Sequence, residues 1–336
     1  MAERNIVVIG CSVGGVEALQ KLVAGLPENF PAAILVVLHL SPQTHSVLPE
    51  ILNRAGQLPA KHPQNHEPIR RGHIYVAPPD HHLIIEDGRM VLSRGPKENR
   101  HRPSVDPLFR SAAKAYGRQV IGIVMTGSLD DGTVGLQAVK KAGGVAIVQD
   151  LEDAFCSDMP RSAMDHVNVD HVVSVSQMPA LLTELVPQHV ASGNGAGRKD
   201  QISKEIKYAE ADMAAIEDNG RPGNPSQFAC PECGGVLWEI DDEGMLRYRC
   251  RVGHAYTAQS LGAEQSEAVE GALWAAIRAL EESASLARQL GEKADKSKNH
   301  RVARRFEGIA LDKKEQAAIL RNVIVEVNKE VAADQP

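Results

Sequence analysis

Aromatic side chains are scarce in this sequence, at 4% of 336 residues, and a surface that stacks single-stranded nucleic acid needs them. A basic excess is also missing. The 43 acidic and 37 basic residues leave a net charge of −6, opposite to the footprint of a phosphate-binding groove. Nucleic acid is therefore not an expected partner. No apolar run approaches the roughly 20 residues that span a bilayer. Runs such as Ala32–Leu38 are far shorter, so membrane insertion is not expected either. The opening Met1-Ala-Glu-Arg leads straight into a strand-like run, without the apolar stretch and small-residue cleavage site of a signal peptide. Cysteines number only five. Three of them crowd near one histidine, which reads as metal binding in a reducing compartment rather than a disulfide framework. A cytoplasmic location is expected.

What is present is a chain with 43% hydrophobic residues, enough for sizeable cores, and long enough for two or three domains. Residues 1–186 carry short apolar runs at Ile6–Ile9, Ala32–Leu38, Ile74–Ala77, Leu83–Ile85, Val120–Met125, Val145–Gln149 and Val172–Val175. Helical stretches at Val16–Leu26, Pro107–Tyr116 and Gly135–Ala142 lie between them. Strands apolar on both faces and alternating with helices predict a three-layer α/β domain with a doubly wound, mostly parallel sheet. Asp87-Gly88 between apolar runs predicts a tight hairpin. Residues 187–227 read as a linker, with glycine clusters around Gly193–Gly197 and Asn219–Pro225 and a polar helix over 203–216. Residues 228–257 hold the cysteine cluster. Residues 258–333 predict a helical hairpin with its turn at Gly291–Asn299.

Gly10-Cys11-Ser12-Val13-Gly14 fits G-x-S-x-G, after a strand and before a helix. That context suits a nucleophile elbow, a nucleotide-binding loop or a plain tight turn. A dinucleotide site further asks for an acid at the end of the second strand. That strand ends Val37-Leu38-His39, so the nucleotide reading weakens. In an open parallel sheet the carboxyl ends of the strands gather along one edge, and a histidine there can take the proton of a serine. A third strand ends in Thr126-Gly-Ser-Leu-Asp130-Asp131-Gly132, bringing carboxylates to the same edge. Asp-Gly belongs in turns and aspartate caps helices, but a serine–histidine pair also needs a group that fixes the imidazole. The order Ser…His…Asp differs from the Ser…Asp…His of α/β-hydrolases.

These segments, with Gly72–Asp80, Arg102–Asp106 and Met159–Ser162, resemble the catalytic domain of the protein-glutamate methylesterases of bacterial chemotaxis, the CheB type, over roughly residues 4–186. The resemblance implies hydrolysis of glutamate γ-methyl esters on chemoreceptor-like proteins, with glutamine deamidation as an accompanying activity. It implies Ser12 as nucleophile, His39 as general base and Asp131 as the orienting acid, with Asp130 left to a turn or helix-cap role. It implies no cofactor for catalysis. Two departures stand out: Val13 replaces a small or hydroxyl residue, and Ser128-Leu129 stands where the family reads Met-Gly. Only Met1–Asn5 precede the first strand, so the expected member lacks the family's usual receiver domain. The alternative reading is a catalytically weak signalling or scaffold protein on the same fold.

Cys230-Pro-Glu-Cys233 and Cys250-Arg-Val-Gly-His254 have the spacing of a Cys₃His structural zinc ribbon, with a hairpin between the pairs. A redox dithiol would not need Cys250 and His254. The helical tail reads either as a packed amphipathic pair or as an element for self-association or docking.

Overall fold

The structure is a computed structural model that describes residues 2–333 apart from 4, 44, 191–222 and 243. The linker glycines at 193–197 and the polar helix expected over 203–216 lie outside the described residues. The chain divides into two compact units, Met1–Leu261 and Gly262–Pro336.

The first unit is built on a seven-stranded sheet in the order His171–Val173, Val145–Gln149, Val120–Val124, Ile6–Cys11, Ala33–Leu38, Ile74–Val76, Ala60–Lys61. Every neighbouring pair is parallel. The period of two along each strand sends side chains to opposite faces. Val7, Ile9 and Cys11 enter one core, with Leu19 and Leu22 of helix Gly15–Ala24 and Leu182 of helix Met178–Leu185. Ile6 and Val8 enter the other, with Leu108 and Phe109 of helix Val105–Tyr116, Leu136 of helix Thr133–Lys141 and Ala163 of helix Asp158–His166. Two separate cores on two faces make the expected three-layer architecture.

A three-stranded antiparallel sheet, Glu67–Pro68, Arg89–Ser93 and His82–Glu86, lies beside it in the chain. Its turn at Asp87-Gly88 has positive φ at both residues (46° and 74°), as a two-residue hairpin turn requires. The cysteine region forms a four-stranded antiparallel sheet of Asn224–Ala229, Val236–Asp242, Met245–Cys250 and Ala255–Thr257. Its own core is small, centred on Leu237, Tyr248, Tyr256 and Leu261.

The second unit consists of helical chain from Gly262 onward. Helix Ala258–Lys296 runs into it, and helix His300–Ala333 returns. Ile277, Ala317 and Ile324 form their buried seam. The break is tighter than the expected Gly291–Asn299, because Glu292–Lys296 are good helix formers and one glycine does not end a helix. The chain turns at Lys298, which takes φ 57°. Among the described residues no helix is long and apolar enough to cross a membrane.

Candidate active site

Three strand ends are stitched together at the carboxyl edge of the parallel sheet. Cys11 pairs with Leu38 in register, so Ser12 and His39 are the next residues along neighbouring strands. The His39 amide donates to Cys11 O (3.2 Å), and the Ser12 amide donates to Thr126 O (2.9 Å). Gly14 leaves this turn at φ 76°, a left-handed conformation suited to glycine. It starts the helix that follows. Gly127 matters for a different reason. A Cβ there would stand 2.8 Å from Ser12 Cβ and 2.2 Å from Met159 Sδ, so only glycine lets the acid-bearing loop lie on the serine.

His39 Nε2 lies 2.7 Å from Asp131 Oδ2. Asp131 is 2% exposed and surrounded by donors. The Ser104 hydroxyl reaches both its oxygens (2.9 Å), the Val105 amide lies at 2.7 Å and Asn99 Nδ2 at 3.0 Å. Burial alone would raise this carboxyl, but the bonds from His39, Val105 and Asn99 hold it well below the ordinary carboxylate range. An ionised carboxylate only accepts hydrogen bonds. The proton between the two groups therefore sits on His39 Nε2, and the lone pair sits on Nδ1. That Nδ1 is buried and makes no hydrogen bond among the described residues.

The His101 ring stacks on His39 with centroids 3.7 Å apart and planes 13° from parallel. Burial, with His39 alongside, pushes the His101 pKa down to about 3, so this partner is a neutral plate that fixes the plane of His39. Asp106 lies beyond Asp131 and shares its Asn99 donor (2.9 Å). Burial and the Asp131 charge raise its pKa to about 7.

Ser12, His39 and Asp131 thus meet at one sheet edge. The His39–Asp131 contact is formed, while the Ser12 hydroxyl makes no hydrogen bond among the described residues. The Val13 and Ser128 amides likewise have no hydrogen-bond partner among them. Leu129 holds φ 63°, a conformation that costs a non-glycine residue about 1–2 kcal/mol. The substituted loop therefore keeps the glycine-like backbone. Asp130 has the expected turn role, its carbonyl accepting from the Thr133 amide (3.2 Å), but not the cap role. The following helix is capped by Gly132 without a side-chain bond. The Asp130 side chain is 3% exposed, and its Oδ1 accepts from the Thr257 hydroxyl at 2.8 Å. Sequence reasoning passed over His101, Asn99, Ser104 and Thr257. Nothing in their spacing marks them, because each acts through a contact that only the fold creates.

A second cluster joins Cys230, Cys233, Cys250 and His254, whose ligand atoms all lie within 4.8 Å of one another. Cys230 Sγ and Cys250 Sγ are 3.7 and 3.6 Å from His254 Nδ1, and Cys233 Sγ is 3.7 Å from Cys250 Sγ. A tetrahedron with metal–sulfur bonds of about 2.3 Å and a metal–nitrogen bond of about 2.0 Å has edges of about 3.8 and 3.5 Å, so the donor set fits a metal ion. The contact with Cys250 holds the Cys230 thiol well below the ordinary cysteine range and holds Cys250 above it. Cys11, by contrast, is fully buried, and burial pushes its thiol far up, which makes it a packing residue.

A family model described as CheB methylesterase matches residues 7–182. The protein-glutamate methylesterase/protein-glutamine glutaminase 2 of Anaeromyxobacter dehalogenans (strain 2CP-C) is 39% identical over 184 residues, covering 55% of this chain and 54% of that protein. The protein-glutamate methylesterase/protein-glutamine glutaminase of Pyrococcus abyssi (strain GE5 / Orsay) is 33% identical over 205 residues, covering 60% and 55%. This chain thus spans about half the length of these two relatives. The crystal structure of the Thermotoga maritima CheB methylesterase catalytic domain matches with a TM-score of 0.53 and 35% identity, covering 55% of this chain and 100% of that one. With its model matching more than half of the sequence, and with the fold and sheet edge described above, this chain belongs to the CheB methylesterase family.

Proposed function

We propose that this protein hydrolyses glutamate γ-methyl esters on chemoreceptor-like proteins, and deamidates glutamine at equivalent positions, through Ser12, His39 and Asp131. The observation that carries the reading is the His39 Nδ1 lone pair. That nitrogen is buried and makes no hydrogen bond among the described residues, and His39 and Ser12 directly follow the paired Leu38 and Cys11. In the proposed reaction Ser12 Oγ attacks the ester carbonyl and its proton passes to His39 Nδ1. Asp131 steadies the imidazolium through Nε2. The Val13 and Ser128 amides are the donors for the oxyanion. Collapse of the intermediate breaks the ester C–O bond, and His39 returns the proton to the leaving methoxide, giving methanol. Water then gives a proton to His39 as it attacks the acyl-enzyme, and Ser12 recovers that proton on release of the glutamyl carboxylate. From glutamine the leaving group departs as ammonia. The turn is flanked by exposed apolar groups, Val13 (45%) and Phe155 (81%), suited to the flank of a protein substrate.

Labelling with a fluorophosphonate tests the reading. Wild type is expected to be labelled at Ser12 and to release methanol from methylated receptor. Ser12→Ala is expected to lose both while keeping its thermal transition. An unlabelled Ser12 in folded protein would support the scaffold alternative.

We further propose that the Cys₃His cluster holds one structural zinc ion. All four positions are protein ligands, so the ion would supply a cross-link and no reactive coordination site. The helical unit leaves Trp274, Leu286, Leu311 and Ile319 between 49% and 68% exposed, apolar surface that supports self-association through the tail.

A further inference from the structure

The segment Lys97–His101 lies between the ribbon and the catalytic acid, and each of its residues is tied down. Asn99 N donates to Ala255 O (2.8 Å), and Ala255 N donates to Lys97 O (3.2 Å). Ala255 follows the ligand His254 directly. Glu98 is buried between Arg110 of the α/β domain (2.7 Å) and Arg249 of the ribbon (3.3 Å), with all three side chains at most 2% exposed. Arg249 directly precedes the ligand Cys250.

Asn99 makes the connection to the chemistry. Its Oδ1 accepts from the Thr257 amide (3.2 Å) and the Ser260 hydroxyl (3.4 Å), both on the ribbon side. Its Nδ2 donates to Asp131 (3.0 Å) and Asp106 (2.9 Å). The amide cannot be turned over, because its oxygen would then face two carboxylates. Thr257 adds a parallel tie by donating to Asp130 (2.8 Å), the residue before the acid. Two positions after Asn99, His101 carries the ring stacked on His39. Asn99 and Arg100 both hold positive φ, 48° and 73°, conformations that persist only where surrounding contacts impose them. The ribbon itself has a core of a few side chains, below the size that folds without a metal or other cross-link.

We propose that Asn99 and Thr257 are positioning residues through which the metal-held ribbon fixes the His39–Asp131 pair, so that the hydrolase is active only while the Cys₃His cluster holds its ion. This rests on the methylesterase reading for its activity readout, but not for its structural readout. Misplacing a catalytic group by about 1 Å costs about 10²-fold in rate, and here both the acid's donor and the stacking ring depend on the ribbon.

The test uses the full chain, with 1,10-phenanthroline to remove metal and zinc chloride to restore it. Hydrogen exchange of Lys97–Asp106 is read in parallel with methanol release. Metal removal is expected to strip protection from 97–101, to slow methanol release about 10²-fold, and to be reversed by zinc. Unchanged exchange in 97–101 after complete metal loss would overturn the proposal. Repeating the exchange in Ser12→Ala separates the two readings, since it reports the coupling even if the holoprotein proves to have no esterase activity. Thr257 variants supply the second arm. Thr257→Val keeps the shape and loses the hydroxyl, and is expected to slow turnover about tenfold. Thr257→Ser keeps the hydroxyl and is expected to retain the rate. The opposite order would mean that Thr257 acts by packing alone and would also overturn the proposal.

Discussion

Replacing Asp131 by asparagine tests the chemistry at its most constrained point. The carboxylate accepts hydrogen bonds from His39, Ser104, Val105 and Asn99, with no donor of its own. An amide of the same shape brings two N–H groups and keeps a single oxygen. With that oxygen in the Oδ1 place it satisfies Asn99 Nδ2 and the Ser104 hydroxyl, which leaves the new NH₂ in the Oδ2 place, facing His39 Nε2 and the Val105 N–H. The imidazole then accepts there, and its proton moves to Nδ1, the nitrogen meant to take the serine proton. The nucleophile and ring remain in place but in the wrong tautomer. In the serine-protease triad the equivalent change costs about 10⁴ in kcat, and the same order is expected here. The fold should lose about 1–3 kcal/mol, since one buried donor is left facing another. Methanol release from methylated receptor gives kcat, and ¹⁵N shifts of His39 report the tautomer directly. Activity within a few-fold of wild type, with the Nε2–H tautomer retained, would refute the assignment of Asp131 as the orienting acid.

Gly127→Ala should slow turnover about 10²-fold without unfolding the domain, because the new methyl meets Ser12 Cβ at 2.8 Å while the Met159 thioether can give way; kcat and a thermal melt check it. Asp130→Asn should change stability with a defined sign. Burial, reinforced by the Asp131 charge and opposed by the Thr257 bond, raises the Asp130 pKa to about 6. The wild-type carboxyl therefore costs stability once ionised: nothing below its unfolded value of about 4, in full above about 6. The Tm of Asp130→Asn is expected to match wild type at pH 4 and exceed it at pH 8, and a lower Tm at pH 8 would contradict the burial argument. Elemental analysis should find about one zinc per chain, lost in Cys233→Ser.

Much of the frame is legible in the sequence because parallel strands buried on both faces leave uninterrupted apolar runs. Ile6–Cys11, Ala33–Leu38 and Val145–Gln149 are wholly buried. The cysteine spacing is legible for a similar reason, since local ligand pairs encode their own turn. Three helices, Leu48–Ala55, Asp158–His166 and Met178–Leu185, have no counterpart among the predicted stretches; each carries a proline in its first turn, where a missing N–H costs nothing. The polar residues around the acid were hidden for another reason. Asn99 and Thr257 are ordinary loop residues by composition, and they meet across 158 positions of chain. No local rule assigns a partner at that distance. His101 was likewise one histidine among thirteen until the fold laid it on His39.

The placement of the first strand has a consequence for how the chain folds. Ile6–Cys11 lies in the middle of the sheet, with Ala33–Leu38 on one side and Val120–Val124 on the other. During synthesis the first neighbour is available early. The second emerges more than roughly a hundred residues later, after some seconds at about 5–20 residues per second. Until then a flat, wholly apolar strand stands with one edge open, the situation in which chains pair wrongly or associate. This late joint lies between the strands that lead to Ser12 and to Asp131. On the proposed reading hydrolysis needs that seam closed, and the first trace of turnover in a refolding experiment would time the meeting of the two halves of the domain.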